Sequence, residues 1–365
     1  MPRVSVVGGI CLPPDAISYS MLRDVEALRD LFGATLRLRC FVYAHSVADP
    51  DFVAVHSAGD LILDRHFMTS DLVLFHFGIF YGLFDTIFLL PNQAVKIVRD
   101  HNITPEALLS DSQQIEAVRK ANAQRANCQA ATEVWSDSDY NRQILIEAGI
   151  PGQRCKVLPI PLADHFSPDP APRQGRTGAP RLIYVGRYVH SKGVADLVRA
   201  FTRARRQGMP TAQLSLAGSH QFADAEYLHE VRRLIADHPF AGEIDLIGEV
   251  SPESLLSLYR RSDVLVIPSY HEGFCLPVIE ALSQGCFVIG YDAANLPGIM
   301  GGFGWNVPTG NVDQLACAIQ QAVSSLTNGD RLVHNTDQLR AHLSAFTYAQ
   351  FRENMRALLV GLGLI

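Results

Sequence analysis

An α/β protein with two doubly wound domains facing a central cleft is what this sequence predicts, and three observations predict it. Short apolar runs alternate with amphipathic helical stretches along the whole chain. Two of those runs, Val4–Gly9 (VSVVGG) and Leu182–Arg187 (LIYVGR), open the two halves alike, each as a buried strand that ends in a glycine turn. Six prolines, at 159, 161, 168, 170, 172 and 180, crowd the segment between the halves. The chain has 365 residues, which at roughly 150 per domain is about two domains. Residues 1–160 form the first, 161–180 a linker, 181–345 the second, and 346–365 a terminal helix.

In the first half, Val4–Val7 reads as a strand. Met21–Phe32 carries apolar residues at 21, 22, 25, 28, 31 and 32, which is helical spacing. Leu36–Val42, Leu72–Phe75 and Lys96–Val98 read as strands, the last leading into Asp100, His101 and Asn102. A polar helix runs from Ser112 to about Cys128, and a short strand follows at Glu133–Trp135. Asp139–Ala148 is a helix capped by Ser138 and closed by Gly149, and Val157–Leu158 is a strand. The second half repeats the alternation. Its strands are Leu182–Val185, Gln213–Ala217, Ile244–Ile247, Val264–Ile267 and Phe287–Ile289. Its helices are Val194–Arg206, Ala225–Ala236, Pro252–Arg261 and Pro277–Gln284. Parallel sheets covered on both faces follow from this order. A ligand is expected at the carboxyl ends of the strands.

Composition narrows the function. Hydrophobic residues make up 48% and charged residues 19%, enough for two cores and too apolar for a disordered chain. Lys plus Arg is 31 against 37 for Asp plus Glu, a net charge of -6, so the chain is not built to coat nucleic acid. Neither half is basic: residues 1–160 hold 14 basic and 18 acidic side chains, the rest 17 and 19. The 7 cysteines lack a C-x-x-C pair and sit mostly in apolar runs, as in a reducing compartment. The N-terminus lacks the pattern of a signal peptide. The longest apolar stretch, Phe77–Pro91, is interrupted by Asp85 and falls short of the roughly 20 residues of a spanning helix. A cytoplasmic protein is expected, with peripheral attachment to a membrane left open.

The densest motif is Ser269–Leu282 (SYHEGFCLPVIEAL). A buried strand feeds a glycine loop, and a helix then starts with Pro277 in its first turn, where the missing N–H costs little. The free N–H groups of that helix start suit a diphosphate. Glu272 and Glu280 bracket the site, and carboxylates beside a phosphate site accept hydrogen bonds from sugar hydroxyls. The second motif is Val185–Gly193 (VGRYVHSKG). It brings Arg187 and Lys192 to the same sheet edge after Gly186, where two cations neutralise a pyrophosphate leaving group. Alone, each of these residues is an ordinary acid near a helix start or a solvated surface cation; together they point to a site.

These residues resemble the donor-binding half of glycosyltransferase family 4, retaining enzymes of the GT-B fold. Glu272 and Glu280 match the family's pair of glutamates. Gly186, Arg187, Lys192 and Gly193 match its Gly-Arg…Lys-Gly element, and Leu216-Ala217-Gly218 a strand and glycine near the base. The resemblance implies that Glu280 holds the donor ribose, that Glu272 contacts the transferred sugar, and that Arg187 and Lys192 bind the diphosphate, helped by the backbone N–H groups of Gly273, Phe274, Cys275 and Leu276. It also implies that Gly8 and Gly9 let the first loop approach the donor phosphate, that His101 faces the donor sugar, and that the last helix crosses back to the first domain. The implied partners are a nucleotide-sugar donor, GDP-mannose or a UDP-hexose, and a glycan or lipid-linked acceptor, as in polysaccharide biosynthesis. No cofactor and no metal are expected, and the oligomeric state is open.

The sequence departs from that family at Pro297-Gly298 and in Leu12–Ser20. The glycine-rich segment 295–303 reads as a mobile loop. Asp49-Pro50-Asp51 and Asp137-Ser138-Asp139 spell D-x-D, but the second reads better as a helix cap. His76 reads better as a satisfied buried histidine than as a cleft residue. No H-E-x-x-H, no G-x-G-x-x-G and no phosphate loop of the G-x-x-x-x-G-K type is present. Phe75–Leu90 reads as a buried strand and core helix, with a patch that meets a lipid-linked glycan or a second subunit as the alternative. Two other functions remain open: a sugar-nucleotide epimerase of the same fold, and a non-catalytic partner subunit of a glycosyltransferase.

Overall fold

The computed structural model describes residues 1–13, 15–169, 178–220, 223–330, 332 and 335–365. Residues 170–177, the middle of the expected linker, lie outside the described residues. The chain divides into two compact units, Met1–Pro161 with Tyr348–Ile365, and Leu162–Thr347.

In the first unit the elements are β1 (Arg3–Val7), β2 (Ile10–Cys11), α1 (Ala16–Phe32), β3 (Arg37–Val42), β4 (Ala44–His45), β5 (Phe52–Ala54), α2 (Ala58–Leu63), α3 (Arg65–Met68), β6 (Leu72–Phe77), β7 (Val95–Asp100), α4 (Ser112–Gln124), β8 (Glu133–Ser136), α5 (Asp139–Glu147) and β9 (Cys155–Val157). Seven strands make one parallel sheet in the order β5-β3-β1-β6-β7-β8-β9. Successive side chains of a strand face opposite sides, and the two sides carry separate cores. Val73, Phe75, Phe77 and Val98 face Phe67, Leu83, Phe84 and Ile87. Leu72, Leu74, Ile97 and Trp135 face Met21, Val25 and Leu28 of α1. That same side receives Phe351, Met355 and Leu359 of the last helix, Tyr348–Gly361. Arg23 stacks on Tyr348 at 4.2 Å, and the Tyr348 hydroxyl donates to Asp30 at 2.8 Å.

The second unit contains β10 (Arg181–Val185), α6 (Val194–Arg206), β11 (Gln213–Ala217), α7 (Ala225–Ala236), β12 (Ile244–Gly248), α8 (Pro252–Arg261), β13 (Val264–Ile267), α9 (Leu276–Ser283), β14 (Phe287–Tyr291), α10 (Leu296–Met300), β15 (Gly304–Val307), α11 (Val312–Thr327) and α12 (Thr336–Ser344); the Tyr348–Gly361 helix is α13. Its sheet is parallel in the order β12-β11-β10-β13-β14-β15. The order reverses between β10 and β13, and between β1 and β6 in the first unit, the crevices where doubly wound sheets take ligands.

Several expectations are corrected. The first long helix begins at Ala16, five residues early, because the Asp15 carboxylate caps it by accepting from Ile17 N at 2.9 Å and Ser18 N at 3.1 Å. The segment 295–303 is not a loop throughout: it contains α10, whose Leu296, Ile299 and Met300 are buried. The expected core helix in 75–90 is a 3-10 helix over Gly82–Leu89. It buries Leu83, Phe84 and Ile87 but leaves Phe88 60% and Leu89 52% exposed. The start of the expected linker is packed chain, since Leu162 and Phe166 are buried and Leu162 N donates to Phe346 O at 2.7 Å. Helices α2, α3, α10, α11 and α12 and the short strands β2, β4, β5 and β15 go beyond the elements read from the sequence.

Candidate functional site

The loops after β10 and β13 meet at one close glycine contact and one backbone hydrogen bond, and the end of β11 packs against the end of β10 at a second glycine. Gly193 has φ +64, and a Cβ there would lie 2.0 Å from the Pro268 carbonyl oxygen. Tyr270 N donates to Ser191 O at 2.8 Å and ties the loops together. Gly218 passes so close to Gly186 that a Cβ would lie 1.9 Å from the Gly186 carbonyl oxygen. The buried Tyr184 hydroxyl donates to Arg187 O at 2.8 Å, directly under Gly186.

This docking sets Lys192 Nζ 2.7 Å from Glu272 Oε1, with the two side chains 18% and 10% exposed. Arg187 is exposed, and its guanidinium makes no hydrogen bond or ion pair among the described residues. Helix α9 starts after Cys275, which sits at φ 76 in the left-handed region and supplies no side-chain cap. Strain of this kind at a non-glycine residue costs about 1–3 kcal/mol and gathers at functional sites. The N–H groups of Phe274, Cys275 and Leu276 have no backbone partner among the described residues. One turn on, Glu280 accepts from the buried Tyr259 hydroxyl at 2.9 Å. Burial pushes the Glu280 carboxyl up to about 7 against the opposing pull of that hydrogen bond. Open N–H groups, two cations and two carboxyls thus line one sheet edge. Such a set has the chemistry to hold a dianionic phosphate with hydroxyl-rich groups beside it.

The remaining sequence-derived residues lie in the first unit. Gly8 and Gly9 end β1 beside Met21 and Tyr81, with Gly8 N donating to Phe41 O at 3.0 Å. His101 follows β7, but its side chain is only 3% exposed and both ring nitrogens are engaged. Nδ1 meets Asp137 Oδ2 at 2.9 Å and Nε2 meets His76 Nδ1 at 2.9 Å. The ring is therefore not open to a ligand.

Sequence reasoning missed Asp24, Arg99 and Tyr259, and it set Asp137 aside as a cap. The cap of α5 is Ser138, which accepts from Asn141 N at 3.1 Å. Asp49 and Asp51 of the other D-x-D both pair with Arg29. The signal for Asp24 is its position between Met21 and Val25 on the apolar stripe of α1.

Residues 169–338 match the family model described as glycosyl transferases group 1. The glycogen synthase of Mycobacterium tuberculosis is 35% identical over 115 residues, 32% of this chain and 26% of that protein. The MMP alpha-(1->4)-mannosyltransferase of Mycolicibacterium hassiacum is 28% identical over 195 residues, 53% of this chain and 45% of that protein. The O-antigen chain mannosyltransferase B of Escherichia coli is 28% identical over 141 residues, 39% of this chain and 36% of that protein. The matches thus span less than half of each relative's own length. The solved structure of Anabaena HepE in complex with UDP-glucose superposes with a TM-score of 0.76 at 14% identity, covering 98% of this chain and 99% of that one. The sucrose-phosphate synthase of Thermosynechococcus elongatus superposes with a TM-score of 0.73 at 17% identity, covering 99% of both. The fold is GT-B. Among the described residues no helix is long and apolar enough to cross a membrane.

Proposed function

From a second unit that carries a glycosyl transferases group 1 domain, we propose that this chain is a retaining glycosyltransferase. It moves a hexosyl group from a nucleotide-diphosphate sugar to a hydroxyl of a glycan or glycolipid. The observation that carries the reading is the Lys192–Glu272 pair at 2.7 Å beside the open N–H groups of α9. A diphosphate entering there takes Lys192, Arg187 and those N–H groups. Glu272 is then released toward the sugar. Glu280, one turn further, accepts from the ribose hydroxyls with Oε1, since Tyr259 holds Oε2. The leaving diphosphate is stabilised by cations and dipoles already in place, and this electrostatic term commonly dominates such steps. The departing phosphate helps to deprotonate the acceptor hydroxyl on the same face, which retains the anomeric configuration.

The first unit would take the acceptor, with Gly8 and Gly9 beside the donor phosphate. His101 would act through its fixed position and not through a ring nitrogen. GDP-mannose and a UDP-hexose are the proposed donors; two relatives bear mannosyltransferase names, and HepE was solved with UDP-glucose. No metal is required in this reading, because protein cations meet the diphosphate.

The test is a transfer assay with each donor, a mixed glycan and lipid-linked acceptor set, and excess chelator. Retained transfer in chelator is expected, and strict dependence on a divalent ion overturns the metal-free assignment. Epimerised sugar nucleotide formed without acceptor would mark an epimerase. Absence of both turnover and donor binding would mark a non-catalytic partner subunit. A thermal-shift screen separates GDP from UDP, since a ligand at 100 times its dissociation constant adds about 2.7 kcal/mol.

A further inference from the structure

Five charged or titratable side chains close a ring inside the first unit. Alternation along the strands puts His76 of β6 and Arg99 of β7 on the same side of the sheet as Leu74 and Ile97, the side covered by α1. Asp137, beyond β8, follows Trp135 on that side. Asp24 comes down from the buried face of α1.

The contacts run in sequence. Asp137 Oδ2 meets His101 Nδ1 at 2.9 Å, His101 Nε2 meets His76 Nδ1 at 2.9 Å, and His76 Nε2 lies 3.3 Å from Asp24 Oδ2. Arg99 closes the ring, with Nε 3.5 Å from Asp24 Oδ2 and Nη2 3.1 Å from Asp137 Oδ1. Its other Nη donates to the Leu158 carbonyl at 2.5 Å. The side chains of Asp24, His76 and Arg99 are 0% exposed, and those of His101 and Asp137 3%.

Proton counting constrains this ring. Three contacts link the two carboxyls and two imidazoles, and each needs one proton between its partners. Two neutral imidazoles supply two. A carboxylate accepts, so His101 carries its proton on Nδ1 and receives one from His76 Nδ1–H at Nε2. His76 Nε2 and Asp24 Oδ2 would then be two bare lone pairs at 3.3 Å, away from water. A third proton must sit there. With it the four groups carry one negative charge, and the Arg99 guanidinium brings the ring to neutrality. Both Asp24 carboxyl oxygens and His76 Nε2 lack a well-oriented hydrogen bond among the described residues, as do Arg99 Nε and Nη2 and Asp137 Oδ1, while the two contacts of His101 are well formed.

We propose that Asp24, His76, Arg99 and Asp137 are positioning residues that hold His101 in its Nδ1–H form and store one proton at the carboxyl edge of the first sheet. The loop they fix is unusual in itself: Asn102 has φ 65, and its side chain accepts from Ile103 N at 2.7 Å. Gly78, just after β6, sits close against this loop: a Cβ there would lie 2.8 Å from Ile17 Cδ1 and 3.1 Å from His101 Cβ. Burial lifts Asp24 to about 6 and holds His76 well below the usual imidazole range. The other charged groups coupled to the ring are Asp100 of β7, which alternation puts on the opposite side of the sheet and which burial also lifts to about 6, and Arg125, whose charge opposes that rise. That His101 serves glycosyl transfer rests on the function proposed above; the stored proton does not.

The test uses the full chain with 15N-labelled histidine. Long-range proton–nitrogen spectra give each ring's tautomer, and His76→Gln and His101→Gln assign the signals. His101 should appear as Nδ1–H from pH 5 to 8. Asp24→Asn keeps the ring neutral and can donate to His76 Nε2, so the fold and the His101 tautomer should survive. Asp137→Asn leaves one positive charge too many, so the Nδ1–H signal of His101 should be lost or begin to titrate. An Nε2–H form of wild-type His101, ordinary titration between pH 5 and 8, or equal loss of the tautomer in both variants overturns the proposal. Because these readouts need no donor, failure of the transfer assay and failure of the ring are separate outcomes.

Discussion

Lys192 Nζ rests 2.7 Å from Glu272 Oε1, so the two motifs that end β10 and β13 pair their opposite charges. The pair is mostly buried, and in the function proposed above each member turns to a different part of a nucleotide sugar. Breaking such a pair from one side leaves a charge uncompensated and costs about 3–5 kcal/mol when fully buried.

Glu272→Gln should therefore lower turnover more than it raises the Michaelis constant for donor. The transferred sugar gains positive charge as its bond to phosphate breaks, and loss of one well-placed electrostatic contact costs about 2.7–4 kcal/mol, roughly a hundred- to thousandfold in rate. Steady-state kinetics on a variant with wild-type circular dichroism checks this. Normal turnover would remove Glu272 from the reacting sugar.

Glu280→Gln should mainly raise the donor Michaelis constant, since a ribose contact is similar in ground and transition states. Its carboxyl is lifted to about 7 by burial. A raised carboxyl favours the folded state when protonated. That contribution is full below the ordinary carboxyl range and is lost as pH rises through about 7. The glutamine variant without donor should thus unfold later than wild type above pH 7, by about 1–3 kcal/mol, and the gap should close near pH 4. Denaturant titrations at both pH values decide it.

Gly193→Ala and Gly208→Ala share a positive φ, +64 and +91, but only Gly193 has backbone in the path of a Cβ. Both should pay roughly 1–2 kcal/mol for the left-handed conformation. Gly193→Ala should cost more in melting temperature and should also weaken nucleotide binding, because the loops that carry Lys192 and Glu272 must part. Equal losses in the two variants, with nucleotide affinity intact, would show that the Pro268 contact does not hold the site.

Phe84 and Phe80 should separate core from surface in the apolar segment. Phe84 is 0% exposed and Phe80 is 40% exposed. Phe84→Ser should destabilise by about 3–5 kcal/mol, and Phe80→Ser should stay within about 0.5 kcal/mol. Sedimentation of the Phe80 variant with lipid vesicles, against wild type, measures any membrane role of the exposed side.

Local chemistry alone determined much of this protein. Apolar period and turn residues set the strands and helices of both sheets, because buried parallel strands leave continuous apolar runs and caps need particular side chains. Helices α6, α7 and α8 begin and end where spacing and capping residues place them. The second-unit site was legible for the same reason: Glu272, Glu280, Arg187 and Lys192 stand within a few residues of glycines that only a tight turn at a strand end requires. Tertiary structure decided what pairs across long separations. Asp24 and Asp137 each look ordinary in sequence, one an acid on a helix and one beside a cap. Strand order and side-chain alternation bring them to His76, Arg99 and His101, 36 to 77 residues away by sequence number. The ring's proton count, and the engagement of both His101 nitrogens, exist only once the sheet has closed and water is gone.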